Sequence, residues 1–595
     1  MAIPPALQRA FAAYQAGDIA RAASEAAAAL QASPDHSEVH YLTGVIKLRL
    51  GEGEQAEFHL RKASEANPAD PERQVHLGRA LLFLNRLADA QAVALSLTQR
   101  FPAYANAHRL LGEILHRADD TDGAITAYRR VLALTPGGMD VAVASRIGTL
   151  LNTQGDHAAA RAMFEQAMAA DQRDPMLAGI VAYAANAWSD LTPQQLFAMH
   201  TEIGRRIKAV SPFRAPPLTN TREPERPLRI AYMTPDARQH SASFFIEAIL
   251  SHHDRRAFDV GLYSNAKRSA DAATERLASR CDRYVTVTGM TEQQAAARII
   301  EDRNDVLVDL AGHTAGAGVW LLRSRIAPVQ VTYLGYPNTT AMPCADLRIV
   351  DSTTDPIGSD ALATERLARL DPCFLCYTPP GDIPSPEADK EPRPFTFGSF
   401  NSLHKHSPAT IALFAAVLKA VPGSRLVVKA KGLASSDAKT RFVREFEGHG
   451  VDAARLDLRS FVRDQHGHLA VYRTIDVALD TTPYNGTTTT CEALLMGVPV
   501  VTLLGDRHAA RVSASLLRAV GGPFAELVAG SAEEFIRLAV TLADAQSPLS
   551  HSLVDRAANR IRFLESPLCD GPAFVRRLEG VYRSAWRRWC SSEGA

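Results

Sequence analysis

The apolar positions in the first third of the chain come as paired helical stretches that repeat. Pro34, Pro68, Pro102 and Pro136 recur every 34 residues, as do Gly44, Gly78 and Gly112, and Ala22, Ala56, Ala90 and Ala124. Gly148 and Ala160 arrive 36 residues after their predecessors, a shift that the extra Gly137–Gly138 accounts for. Each unit predicts two antiparallel helices whose small residues let the backbones approach while Leu, Tyr and Phe fill the groove. Pro68, in EANPADPE, stops one helix and presets the turn into the next. Units of this kind bury their apolar faces only by stacking. About five of them over residues 1–175, with capping helices to about 210, predict a solenoid with a concave face.

The period and the helix–turn–helix pattern resemble the tetratricopeptide repeat. After a Pro-rich linker, SPFRAPPLTNTREPERP at 211–227, the pattern changes to short β-branched runs alternating with helical segments. LRIAYMT, FDVGLYS, DVLVDLAG and VQVTYLGYP predict strands in a domain spanning 228–388. A second break, TPPGDIPSPEADKEPRP, precedes FTFGSF, SRLVVKAK, IDVALD and VPVVTLLG in a domain spanning 389–595. This punctuation implies two parallel sheets flanked by helices, with a cleft between the carboxyl ends of their strands. The last segment, Phe574 to Cys590, reads as a helix that packs back across the junction of the two domains.

Composition narrows the function classes. Lys+Arg and Asp+Glu number 65 each, a balance that gives no concentrated basic footprint and no reason to expect nucleic acid. No apolar run reaches the roughly 20 residues of a bilayer span, and MAIPPALQRAF does not read as a signal peptide. The expectation is a cytoplasmic protein without a membrane segment. Seven cysteines, none before Cys281, form no disulfide framework, and the single CxxC at Cys373 and Cys376 lacks a second ligand pair for zinc.

The candidate chemistry lies at four strand-to-helix turns. In DTTPYNGTTTTCEALLMGVPVVTLLG, from Asp480 to Gly505, four threonines open a helix. Free N–H groups at such a start bind anions, and more hydroxyls are present than one cap needs. Glu492 lies one turn further in, where a carboxylate can accept ribose hydroxyls; a plain threonine cap on a buried helix is the alternative. FGSFNSLHKHSP carries Ser402, His404, Lys405 and His406, and a lysine at a strand's carboxyl end suits a developing phosphate charge. TPDARQHSASFF carries His240, a candidate base near neutral pH. DLAGHTAGAG carries Asp309 and His313, reserve candidates for the base.

Taken together, the repeats and the segments LVDLAGHTAGAG, VQVTYLGYPNTT, FGSFNSLHK and DTTPYNGTTTTCEALLMGVPVV resemble the O-GlcNAc transferase and SPINDLY family over essentially the whole chain. The resemblance implies a GT-B fold: a tetratricopeptide superhelix followed by two Rossmann-like domains. It also implies an inverting, metal-independent glycosyltransferase with no cofactor, moving GlcNAc from UDP-GlcNAc to Ser/Thr of proteins held by the repeat. By the same resemblance His240 is the catalytic histidine and Lys405 the leaving-group lysine. Ser402, His468, Thr487, Thr488, Thr489, Glu492, Thr314, Tyr336 and Pro337 are the nucleotide-sugar-binding set. The chain departs from the animal enzymes at Ser402, Thr487, Glu492 and Gln465, where they have Gln, His, Asp and Lys. Plant SPINDLY proteins, which it also resembles, use GDP-fucose. Two further readings are a nucleotide-binding scaffold without catalysis and a transferase acting on small acceptors, the second disfavoured by so long a peptide-sized surface.

Overall fold

The computed structural model describes residues 4–210, 215–266, 270–314, 316–388, 392–462 and 464–592. Residues 211–214 of the expected linker and 389–391 at the expected start of the last domain lie outside the described residues. The chain divides into two compact units: one comprises Met1–Leu151, Ala158–Asp171 and Ser435–Asp437, and the other holds the remainder.

The repeat forms five helical pairs, from Pro5–Gln15 with Ile19–Ala32 to Val141–Thr153 with His157–Ala170. The periodic alanines Ala22, Ala56, Ala90, Ala124 and Ala160 are wholly buried. The small-residue rule holds at the periodic glycines: a Cβ on Gly112 would lie 2.6 Å from the ring of Tyr128. Within the first unit, polar side chains tie successive first helices together at about one repeat's spacing. Arg73 pairs with Glu38, Tyr104 donates to Glu72, and Arg109 pairs with Asp140. These contacts bridge neighbouring repeats beside the Pro-containing turns.

The second unit begins with helices Pro175–Ala185 and Pro193–Ala209 and contains two all-parallel sheets. The first consists of β1 (Leu228–Thr234), β2 (Phe258–Ser264), β3 (Arg283–Thr286), β4 (Val306–Asp309), β5 (Val329–Thr332), β6 (Leu347–Val350) and β7 (Arg366–Arg369). Its order is β3-β2-β1-β4-β5-β6-β7. The second consists of β8 (Thr396–Ser399), β9 (Arg425–Lys429), β10 (Leu456–Arg459), β11 (Val477–Leu479), β12 (Val500–Leu503) and β13 (Val528–Ala529). Its order is β10-β9-β8-β11-β12-β13. Strand order therefore reverses between β1 and β4 in one sheet and between β8 and β11 in the other. Parallel sheets bind ligands in the crevice that such a reversal opens. The four turns singled out in the sequence follow those four strands.

Strands β3, β6, β7, β10 and β13 escape the sequence pattern, for stated reasons. The edge strands β3, β7 and β10 are short and polar, as RYVT, RLAR and LDLR, β13 is only the two residues Val528–Ala529, and β6 hides an arginine, Arg348, inside a wholly buried run. One apolar core runs through both sheets. A buried polar seam also joins them: His508 bonds Asp355, Ser515 donates to Asp351 at 2.5 Å, and Arg511 donates to the Thr353 carbonyl at 2.7 Å. The last helix, Gly571–Ser591, returns to the first sheet. There Glu579 bonds His253 at 2.9 Å and Trp586 donates to the Glu223 carbonyl at 3.0 Å.

Overpacking a tight helix contact costs about 1–3 kcal/mol. Gly112→Val is expected to speed hydrogen exchange in the helices 105–117 and 121–134 and to leave exchange in the two sheets unchanged. Unchanged exchange in both helices would contradict the close-approach account.

Candidate active site

The turn after β11 is built on one carboxylate. Asp480 is buried and accepts from the N–H of Thr481 at 2.9 Å, the N–H of Gly486 at 2.7 Å, the Thr502 hydroxyl at 2.8 Å and the Asn401 amide at 3.2 Å. These bonds fold TTPYNG into a hairpin-like loop that delivers the helix Thr488–Leu495 to the crevice. Thr487 is its cap residue by position but makes no side-chain capping bond. The N–H groups of Thr488, Thr489 and Thr490 therefore keep open the anion-binding character of a helix start. Three of the four hydroxyls have separate duties. Thr489 donates to Asn401 at 2.7 Å, Thr490 bonds Ser513 at 2.8 Å inside the core, and Thr488 reaches the Ser241 carbonyl at 3.4 Å. That last contact sets the second sheet's helix start against the loop that carries His240.

Lys405 follows β8 in a single helical turn, Leu403–Lys405, with Ser402 exposed at its start. Its ammonium donates to the Asn485 carbonyl at 2.7 Å and lies 4.2 Å from the centre of the Tyr484 ring. An ammonium has three donors, so two remain for a ligand. Burial pushes its pKa down to about 8, with the Asp480 charge opposing. His404 and His406, from the same segment, are pushed down to about 3 and about 4 by burial and stand as neutral packing groups.

Deeper in the second domain, Glu492 accepts from His468 Nε2 at 2.9 Å, and the Tyr472 hydroxyl lies 3.4 Å from the same carboxylate. His468 Nδ1 faces the Lys429 ammonium at 2.9 Å.

On the other wall, His240 Nδ1 lies 3.4 Å from Asp236 and 3.3 Å from the Ala242 N–H. Burial lowers its pKa, so it is neutral and able to accept a proton at pH 7. The reserve candidates are arranged differently. Asp309 accepts from the Gly312 N–H at 2.7 Å and is pushed up to about 7 by burial. His313 donates Nε2 to the Thr340 carbonyl at 2.7 Å, while a Cβ on Gly179 would sit 3.0 Å from its Nδ1. Both nitrogens are thus turned into protein. Tyr336 spends its hydroxyl on His200 at 2.7 Å, so it offers a ring edge, and Pro337 beside it is buried. Thr314 bonds back to the Ala311 carbonyl at 2.9 Å. The loops carrying these residues press together: a Cβ on Gly312, at φ +56°, would collide with Tyr336 at 2.3 Å.

Sequence reasoning did not assign Asn401, Asp480, Lys429 or Tyr183. The first two were legible as polar residues directly after β8 and β11. Lys429 ends an apolar strand, and Tyr183, from helix Pro175–Ala185, lies 6.1 Å from His404 and 6.3 Å from Tyr336, ring centre to ring centre. Among the described residues no cluster of three or more His, Cys, Asp or Glu could hold a metal, and no helix is long and apolar enough to cross a membrane. Cys373 and Cys376 are buried free thiols.

The profile of glycosyl transferase family 41 matches residues 206–378 and 392–578. The chain belongs to that family. Tetratricopeptide-repeat profiles match residues 13–74 and 76–138 of this family 41 protein. It is 41% identical over 421 residues to a protein of Solanum lycopersicum and 42% identical over 424 residues to one of Arabidopsis thaliana. Both are named probable UDP-N-acetylglucosamine–peptide N-acetylglucosaminyltransferase SPINDLY. Each match covers 69% of this chain but only 44% and 45% of those relatives, so the chain spans less than half their length. The solved structure of an O-GlcNAc transferase from Thermobaculum terrenum, in a lysine-to-methionine variant, aligns over 98% of this chain and 97% of its own. Its TM-score is 0.65 at 31% identity.

Asn401→Ala removes the donor to buried Asp480 and the acceptor for Thr489, a loss of about 1–3 kcal/mol in local structure. Calorimetry is expected to show nucleoside diphosphate affinity at least about tenfold weaker, with the circular dichroism spectrum intact. Unchanged affinity would remove Asn401 from the support of the helix start.

Proposed function

We propose that this family 41 chain moves a sugar from a nucleotide sugar, UDP-GlcNAc, to Ser or Thr hydroxyls of proteins held by the repeat. The reading is carried by one observation: the Lys405 ammonium, with two uncommitted donors, and an uncapped helix start share the reversal point of the second sheet. The names of the relatives and of the solved structure support the donor and the protein acceptor.

The reaction is a single displacement. The acceptor oxygen attacks the anomeric carbon from the face opposite the diphosphate, the bond from carbon to phosphate oxygen breaks, and its electron pair leaves with the diphosphate. The configuration inverts. The hydroxyl proton passes to His240, and the Asp236 carboxylate 3.4 Å away favours the imidazolium that forms. Lys405 and the N–H groups behind Thr488 and Thr489 stabilise the charge that grows on the leaving diphosphate. They supply there what a divalent cation supplies in other sites, so magnesium is not required. Preorganised donors of this sort are worth about 10²–10³ in rate each.

A GDP-fucose reading is favoured by a specific observation: Ser402, Thr487, Glu492 and Gln465 differ from the animal O-GlcNAc transferases at positions that the resemblance assigns to the donor. Calorimetric titration with UDP, GDP, UDP-GlcNAc and GDP-fucose, first in EDTA and then with magnesium, separates the readings. Tight UDP binding in EDTA supports the UDP-GlcNAc reading, and selective GDP binding replaces it with the fucosyl one. Absence of nucleotide binding leaves the scaffold reading.

Lys405→Ala is expected to lower kcat by about 10²–10³ in a folded protein, and normal turnover would remove Lys405 from the chemistry. Lysine works here as the ammonium, which exists below its pKa. The rate is therefore expected to fall as pH rises through about 8. A rate that stays level to pH 10 would contradict that role.

A further inference from the structure

Lys429 closes β9 in a place where a lysine is costly: the residue is 2% exposed and faces the rings of Phe400 and Tyr472, at 4.6 and 5.8 Å from their centres. Two of its three donors have assigned acceptors, the Nδ1 of His468 at 2.9 Å and the carbonyl of the same residue at 3.0 Å. An ammonium can only donate, so Nδ1 must be a lone pair. The proton of a neutral imidazole is then on Nε2, and it points at Glu492 Oε2, 2.9 Å away. The Tyr472 hydroxyl faces the same oxygen and also donates to the Thr489 carbonyl at 3.0 Å. Oε1 receives no hydrogen bond from the described residues.

We propose that Lys429 is a positioning residue for nucleotide recognition: its ammonium fixes His468 as the Nε2–H tautomer, which pins Glu492 by Oε2 and leaves Oε1 for a ribose hydroxyl. The inference rests on the nucleotide reading above and extends it, because it makes His468 a support for the carboxylate. A hydroxyl bonded to a carboxylate discriminates strongly against a ligand that lacks it. The electrostatics agree: burial pushes Lys429 down to about 8, the Glu492 carboxylate opposes this, and Arg459 on neighbouring β10 adds to it. Lys429 thus carries its proton at pH 7, and the lock opens as pH rises through about 8.

Lys405 titrates in the same range, so the test must cancel the diphosphate. The ratio of affinities for GDP and 2′,3′-dideoxy-GDP, and for the matching UDP pair, does this at each pH. In the wild type the ratio is expected to be at least about tenfold at pH 7 and to decline towards one above pH 8. Lys429→Arg, a donor-only cation at every accessible pH, is expected to keep the ratio high to pH 9.5. Lys429→Met is expected to bring it near one throughout. A Lys429→Met protein with the wild-type ratio and pH dependence would overturn the proposal. Should no nucleotide bind the wild type, the nucleotide reading fails by itself. The lock is then judged from the ¹⁵N shifts of the His468 ring, assigned by their loss in His468→Gln. A protonated Nε2 with bare Nδ1 supports it, and a protonated Nδ1 overturns it.

Discussion

The site depends on a buried negative charge. Asp480 sits at the reversal point of the second sheet, where burial raises its pKa and a ring of donors lowers it. Its partners come from β8, through Asn401; from β12, through Thr502; and from its own loop, through Thr481 and Gly486. A carboxylate left unpaired there would be too costly to keep ionised. Once satisfied, it dictates the path of the loop, the opening of the Thr488–Leu495 helix and the position of the Asn485 carbonyl that steadies Lys405.

The two lysines of the second sheet are committed to different degrees. Lys405 is held by one bond and keeps two donors, whereas Lys429 is spent on His468. The difference follows from where each strand ends. The β8 turn brings Lys405 to the Asn485 carbonyl of the neighbouring loop, whereas β9 ends beneath the rings of Phe400 and Tyr472. The first sheet contributes the opposite character. Its histidines are neutral, and its reversal point is lined by loops packed so tightly that Gly312 meets Tyr336 without room for a methyl group. One wall thus carries the lysines and the other histidines that burial keeps neutral.

The parts of this arrangement legible in the sequence are those encoded locally. The repeat announces itself through its period, and the turns after β1, β4, β8 and β11 stand out because polar, glycine-bearing stretches follow apolar runs. Chemistry that depends on distant partners was not legible. Lys429 and His468 are 39 positions apart, and Tyr336 and His200, whose bond withdraws a hydroxyl from the cleft, are 136 apart. His313 reads as a possible base until Gly179 is found against its free nitrogen. β6 was hidden by Arg348, which is buried in an otherwise apolar strand because Asp355 lies 3.4 Å away to compensate it.

The return of the last helix to the first sheet changes the mechanics of the pair. The backbone leaves the first sheet after β7, enters the second at β8, and comes back with the helix that starts at Gly571, so the two lobes are joined twice along the chain. The lobes are therefore tied by two covalent passages as well as by the shared core and the polar seam. A single cut in either passage would leave the lobes tethered through the other.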